Sequence, residues 1–314
     1  MSTSNFISRT NNLPATHPLY RSWATAYNES DVRVIIKNYE KIDDFLQQRG
    51  IEPQKNARYS TQRTIMQEFL NTTSIPTEES FQSFTRSAID LSMIWAVLST
   101  HKKYQKLPRD IRVAFFKDPI NPINNINSAG RDKLFEYYVG ARFNAAGCSI
   151  RYDEPDVICN YKNIEFGVAA KRFRVENLQQ HIKKARNQIE KSGLPGVIAL
   201  DVTPSSPFTE HPYFETPDHF RHAADKWLFD VFHSQVNKYG DQWKLDGIKT
   251  PIIICFLQSI FAIEDGTLAF FAKKYILNIN PKREPSKTEA IQIRIIQEAV
   301  ESLRRTLPEA DHAT

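Results

Sequence analysis

Hydrophobic and polar positions follow two different periods along this chain, and the change between them divides the sequence into two parts. In the N-terminal part, apolar residues recur every three or four positions, which is the spacing of amphipathic helices. The first predicted helix begins at Ser30, and two further helices cover residues 61–70 and 77–98. The first twenty or so residues show no period, and we expect them to form a loose arm.

From about residue 126 the pattern alternates between helix and strand. Predicted helices cover 129–146, 177–192, 218–239 and 286–307, and predicted strands cover 149–152, 157–161, 164–173, 197–203, 251–261 and 267–276. The run 197–203 is short and almost wholly apolar, which is typical of a central strand buried on both faces. This order predicts an α/β fold in which a mixed sheet is flanked by helices.

A composition change between residues 107 and 128 predicts the boundary between the two parts. Pro108, Pro119 and Pro122 lie in this segment beside a run of Asn and Ser, which is typical of a connection rather than a helix or strand. We therefore expect a helical N-terminal region over 1–125 and an α/β domain with a C-terminal helix over 126–314.

Composition restricts the class of protein. Of 314 residues, 41% are hydrophobic and 25% charged, as in an ordinary globular protein. The longest apolar stretch, 250–263, is shorter than the roughly 20 residues that cross a membrane, and no signal peptide is recognisable, so we expect a cytoplasmic protein. Three scattered cysteines indicate neither a disulfide framework nor a zinc site, and ten glycines without a phosphate loop disfavour dinucleotide-binding folds.

Candidate chemistry is concentrated on the predicted strand 164–173. Side chains alternate along a strand, so Glu165, Gly167, Ala169 and Lys171 should share one face. A lysine on the inner face of a buried strand costs free energy unless it is paired or used. Asp156 begins the neighbouring strand and can meet Lys171 across the pair. The structural alternative is a simple ion pair between Lys171 and an acidic neighbour.

Four successive motifs resemble the landmarks of the PD-(D/E)xK, or restriction-endonuclease-like, nuclease superfamily. They are Gly130-Arg-Asp-Lys-Leu-Phe-Glu136, Pro155-Asp156, Ala169-Ala-Lys171-Arg172 and Gly196-Val-Ile-Ala-Leu-Asp201. The resemblance covers roughly residues 130–203. It implies a restriction-endonuclease-like fold in which Asp156 and Glu136 bind Mg²⁺ or Mn²⁺ and Lys171 orients water or stabilises charge. The implied activity is metal-dependent endonucleolytic hydrolysis of phosphodiester bonds.

The chain departs from this family at Ala169, where the second carboxylate of the motif is expected. Three explanations stay open: the carboxylate was removed to make an inactive variant, another acidic residue replaces it, or the protein keeps the fold without the chemistry. The candidate replacements are Glu136, Asp153 and Glu154. Glu165 is a poor substitute because four residues along one strand separate it from Ala169 by roughly 13 Å.

A basic segment after the motif predicts a nucleic-acid surface, with DNA favoured over RNA. Its candidate residues are Arg172, Arg174, Gln180, Lys183 and Lys184. They could neutralise phosphates, although a solvated helix face would have the same composition. The formal charge of +5 adds little for so long a chain. The resemblance also suggests bacterial or phage defence, with a second copy or a defence-system protein as partner. The alternative function is a non-catalytic nucleic-acid-binding or assembly module.

Overall fold

A mixed β-sheet with helices on both faces forms the centre of the protein. The computed structural model describes residues 6–8, 23–31, 37–71, 78–100, 107, 109–117, 129–172, 177–209, 213–263 and 268–303. These residues contain a 9-stranded sheet. The predicted α/β class with a mixed, helix-flanked sheet is therefore confirmed.

The regular elements are numbered here in chain order. The strands are β1 Phe6–Ser8, β2 Trp23–Asp31, β3 Ser149–Arg151, β4 Val157–Tyr161, β5 Ile164–Arg172, β6 Gly196–Asp201, β7 Tyr213–Phe214, β8 Ile252–Ile263 and β9 Leu268–Asn278. The helices are α1 Asn38–Gln47, α2 Arg58–Asn71, α3 Glu78–Ser99, α4 Arg109–Phe116, α5 Ala129–Ala145, α6 Leu178–Ser192, α7 Pro217–Leu245 and α8 Lys287–Ser302.

The sheet has the strand order β1-β2-β9-β8-β6-β5-β4-β3, and β7 pairs with β8 outside this path. Strands β5, β6 and β8 are parallel, whereas the β4–β5, β8–β9 and β2–β9 pairs are antiparallel. Parallel neighbours need long crossovers, and helices α6 and α7 supply them. All six residues of β6 are buried, which confirms the predicted central strand.

Two hydrophobic cores lie on the two faces of the sheet. One joins the sheet to α1–α5 and α8 and includes Ile94 of α3 and Ala170 of β5. The other joins it to α6 and α7 and includes Ala169 of β5 and Leu228 of α7. The neighbours Ala169 and Ala170 face opposite cores because side chains alternate along a strand. The N-terminal helices therefore share one core with the sheet.

The N-terminal segment differs from its prediction in two places. Strand β1 lies within the expected loose arm, and β2, which pairs along the length of β9, includes the expected helix start at Ser30. Helix α1 begins only at Asn38. The first half of β2, Trp-Ala-Thr-Ala-Tyr, favours a strand locally, but its partner β9 is distant in sequence. Both expectations are corrected here.

Two further elements occur in segments predicted as loop. Helix α4 occupies part of the predicted connection 107–128, and β7 lies in the loop expected before α7. Residues 118–128, which include the predicted boundary near 125, lie outside the described residues. No helix in the described part of the chain combines the length and the apolar character needed to span a membrane.

Candidate functional site

Asp156 and Lys171 meet where β4 and β5 are paired. The Lys171 Nζ donates to Asp156 Oδ2 at 2.7 Å, and the backbone N–H of Ala170 donates to the same oxygen at 2.9 Å. The pairing of Val157 with Val168 places Asp156, one residue earlier, opposite Ala169. Only 18% of the Lys171 side chain and 12% of the Asp156 side chain are exposed, so water screens this ion pair weakly.

The turn before Asp156 is held by contacts to β5 and α6. Pro155 lies directly against Gly167, where an added Cβ would be 2.7 Å from Pro155 Cγ. Any larger residue at Gly167 would push the proline, and with it Asp156, away from β5. From α6, the Gln188 Nε2 donates to the Pro155 carbonyl oxygen at 3.1 Å. These contacts fix the position of the Asp156 carboxylate.

Glu136 joins this pair from α5. Its carboxylate forms an ion pair with Lys133, with 2.6 Å between Oε2 and Nζ. Burial is the main cause that raises the pKa of Glu136, and the charge of Asp156 adds to it. The charges of Lys133 and Lys171 act in the opposite direction. Glu136 is therefore close enough to Asp156 and Lys171 for the charges of both residues to act on its pKa.

Ala169 leaves this group without a third carboxylate. Its side chain is fully buried in the core shared with α6 and α7. Asp153 and Glu154 are exposed on the preceding turn. Glu165 forms an ion pair with Arg151 at the other end of β5. The expected second carboxylate therefore has no direct substitute on this turn or strand.

The acidic residues at the site do not fit the magnesium centre that the resemblance implies. Asp156 is engaged by Lys171, and Glu136 by Lys133. No group of three or more His, Cys, Asp or Glu side chains that could hold a metal ion occurs within the part of the chain that the structure describes. Proteins bind magnesium through one or two carboxylates together with waters, and here each carboxylate is already neutralised by a lysine ammonium group.

The predicted nucleic-acid residues divide into three groups. Arg172 points away from Lys171 and forms an ion pair with Asp201 at 3.3 Å, because the two residues are register partners on β5 and β6. Its role as a phosphate contact stays a prediction, and only 12% of its side chain is exposed. Arg174 lies outside the described residues. Gln180, Lys183 and Lys184 are exposed on α6, as a phosphate-binding surface requires.

Helix α6 also carries two residues near the site, His181 and Gln188, that the sequence prediction did not include. His181, Lys184 and Gln188 recur at helical spacing, and this set is called the α6 stripe. Burial lowers the pKa of His181, and the positive charges of Lys184 and Lys171 lower it further. The charges of both lysines therefore act on His181. The helical spacing of His181, Lys184 and Gln188, which follow Lys171 in the sequence, was the signal that could have identified this set.

No protein-family model, no curated protein and no solved structure matches this chain. Proposals about its function therefore rest on the geometry of the site.

Proposed function

We propose that this chain is a nucleic-acid-binding protein that retains the layout of a PD-(D/E)xK nuclease without its metal-dependent hydrolysis. The observation that carries the proposal is the Asp156–Lys171 ion pair on β4 and β5, beside Ala169 and with its charges acting on Glu136. A restriction-endonuclease-like arrangement is part of this proposal. Its support is a helix with a half-buried glutamate packed on a strand pair that carries the aspartate and the lysine.

Phosphate binding would use the positive groups at and beside the Asp156–Lys171 ion pair. Lys171, held by Asp156, presents a fixed ammonium group, and exposed Lys183 and Lys184 extend the positive surface along α6. Contacts of this kind neutralise backbone phosphates and carry no base sequence information. The proposal therefore predicts salt-dependent binding with little sequence preference. DNA stays the favoured ligand, and a second copy or a defence-system partner stays a prediction.

Hydrolysis is left out of this proposal because the acidic groups are too few. In metal-dependent phosphodiester cleavage, bound cations neutralise the charge that develops on the phosphate and activate the attacking water. Asp156 and Glu136 alone, each engaged by a lysine, do not form such a centre. Their role in the proposed function is to hold the two lysines in position and to keep the site electrostatically balanced.

The first test is nucleic-acid binding with and without magnesium. A fluorescent DNA duplex, its single strand and the matching RNA are titrated with the chain in EDTA and in Mg²⁺, and we expect the affinity to be the same in both. Lys171→Ala combined with Lys183→Ala and Lys184→Ala should weaken binding by about tenfold or more and reduce the salt dependence by about one unit for each lost phosphate contact.

A matched control removes two exposed lysines from α7 instead. Lys226→Ala with Lys238→Ala lowers the net charge but leaves the site unchanged, and it should bind nearly as well as the parent. Magnesium-dependent cleavage by the unchanged chain would contradict the proposal and favour a functional nuclease with Asp156 and Glu136 as ligands. Absence of binding to all three nucleic acids would favour an unrelated α/β protein in which Lys171 is only paired.

Binding should also depend on pH through His181. Its pKa is lowered in the free protein, so the imidazole is neutral at pH 7, and nearby phosphates would raise the pKa again. The complex therefore takes up protons, and affinity should rise as pH falls below neutral. His181→Gln should remove most of this dependence when affinity is measured across pH at constant ionic strength. An unchanged pH profile in His181→Gln would exclude His181 from the interface.

A further inference from the structure

Buried polar and charged residues lie between the N-terminal helices and the strand ends beside the site, in a group around Asp90 and an Arg172–Asp201 pair whose charges act on each other. These residues, called here the buried charge network, are Arg58, Gln62, Asp90, Arg131, Arg172 and Asp201. Five of them are almost completely buried, and only 12% of the Arg172 side chain is exposed. They lie beside the apolar core that joins the sheet to α1–α5 and α8. Such groups are expensive to bury unless they satisfy one another.

Asp90 of α3 is the centre of this network. Its Oδ2 accepts from Arg131 Nε at 2.9 Å and from Gln62 Nε2 at 2.6 Å, and Arg58 Nε lies 3.6 Å away. Burial alone would raise the pKa of Asp90, but the charges of Arg131, Arg58 and Arg172 outweigh it and lower the pKa. The carboxylate therefore stays ionised inside the core.

Each partner of Asp90 belongs to an element that positions the site. Arg131 lies on α5, the helix that carries Glu136. Arg172 directly follows Lys171 on β5 and is paired with Asp201 at the end of β6. Arg58 donates to the Lys117 carbonyl oxygen at 3.0 Å and so joins α2 to the end of α4. The Asp90 carboxylate on α3 thus joins α5 to α2, and the charge of Arg172 at the end of β5 acts on it electrostatically.

Stability alone is a weak reason for such a network. Buried ion pairs frequently contribute no more stability than apolar residues of the same volume, because desolvation offsets the attraction between charges. Their better-supported effect is to select one packing arrangement, since an alternative arrangement would leave a charge without its partner. Here the arrangement selected is the packing of α5, the helix that carries Glu136, against α3 through the Arg131–Asp90 contact.

We propose that Asp90 is a positioning residue of the site, and that helices α2 and α3 belong to the site's scaffold instead of forming a separate recognition unit. Of the two measurements that test this inference, only nucleic-acid binding rests on the proposed function. The inference gives the N-terminal helical region a role in positioning the site, whereas the sequence pattern alone predicted no role for that region.

The decisive experiment measures how strongly Lys171 acts on Glu136. NMR titration of ¹³C-labelled glutamate side chains gives the pKa of Glu136 in the parent and in Lys171→Met, and the difference is the coupling. The same pair is then measured in the Asp90→Asn background. Both members of the second pair lack the Asp90 charge, so the direct effect of losing that charge on the pKa of Glu136 cancels in the comparison. A change in the coupling therefore reports a change in geometry.

We expect the coupling to fall to about half or less in Asp90→Asn, because charge interactions weaken with distance and with access of water. Nucleic-acid binding by folded Asp90→Asn should weaken by about tenfold, the scale on which loss of a supporting contact reduces affinity at many sites. Asp225→Asn is the control, because it breaks the ion pair between Asp225 of α7 and buried Lys273 of β9 and should leave the coupling unchanged.

An unchanged coupling in folded Asp90→Asn would overturn the proposal. If Asp90→Asn does not fold, Arg131→Lys replaces it, because this variant keeps the charge but loses the Nε bond to Asp90. If the parent binds no nucleic acid, the proposed function fails while the coupling still decides the role of Asp90. A purely structural role predicts lower thermal stability with the same coupling and the same affinity.

Discussion

Replacement of Ala169 by glutamate is expected to give this chain magnesium-dependent cleavage of DNA. The residue lies opposite Asp156 and on the same strand face as Lys171, so a carboxylate there would add the missing acidic ligand beside Asp156. With Glu136 nearby, three carboxylates would then surround one position, which is sufficient for a hard divalent cation. The activity should disappear when Lys171→Ala is added to Ala169→Glu.

The same substitution should make stability depend on the metal. Without magnesium, a larger and charged side chain in a fully buried position should cost about 1–3 kcal/mol from overpacking alone. Bound magnesium should return about 2.7 kcal/mol at a concentration of 100 times its dissociation constant. Thermal unfolding in EDTA and in Mg²⁺ measures both effects.

The control for this experiment is Ala169→Gln, which has nearly the same volume but no charge. It should be destabilised without gaining cleavage or a response to magnesium. If Ala169→Glu folds, and neither cuts DNA or RNA nor gains stability with Mg²⁺ or Mn²⁺, the resemblance to the nuclease family does not extend to the site. The binding proposal would then have to stand on its own measurements.

Removal of the Asp156 carboxylate should cause the largest loss of stability at the site. Asp156→Ala leaves the Lys171 ammonium, with only 18% of its side chain exposed, and the Ala170 N–H without the acceptor they share. Loss of one partner of a buried ion pair is strongly destabilising, and we expect about 3 kcal/mol in the free energy of unfolding measured with urea.

A double-mutant cycle separates the ion pair from the rest of this effect. Asp156→Asn with Lys171→Met removes both charges and should be clearly more stable than the sum of the two single effects predicts. The expected coupling energy is about 1–3 kcal/mol, as for residues in direct contact. Additive single effects would mean that Asp156 acts through the turn at Pro155 and that its contact with Lys171 contributes little.

Local patterns predicted most of the elements around the site. Strand β4 has its predicted limits, and β5 ends within one residue of its prediction, because alternation along these strands is local information. The contact between Asp156 and Lys171 was predictable for the same reason, since a short turn joins the two strands and determines their register. Helices α5 and α6 were also predicted nearly to their ends.

Contacts between distant segments were not predictable in this way. The pairing of β2 with β9 joins residues that are more than two hundred positions apart, and nothing in the local period of β2 names that partner. Arg172 was expected at the surface because its sequence neighbours are basic, yet its register partner on β6 is Asp201. The buried charge network joins five separate elements and has no sequence period at all.

For this protein, the sequence by itself determined the α/β class, the strands that carry Asp156 and Lys171, and the absence of a carboxylate at Ala169. These features depend on residue identity and on periods of two or about four residues, which a single segment contains. The tertiary structure decided which charges face the site, which are turned into the core, and that Asp90 joins α2 and α3 to α5 through Gln62 and Arg131. Those outcomes depend on which distant segments pack together, and packing is a property of the whole folded chain.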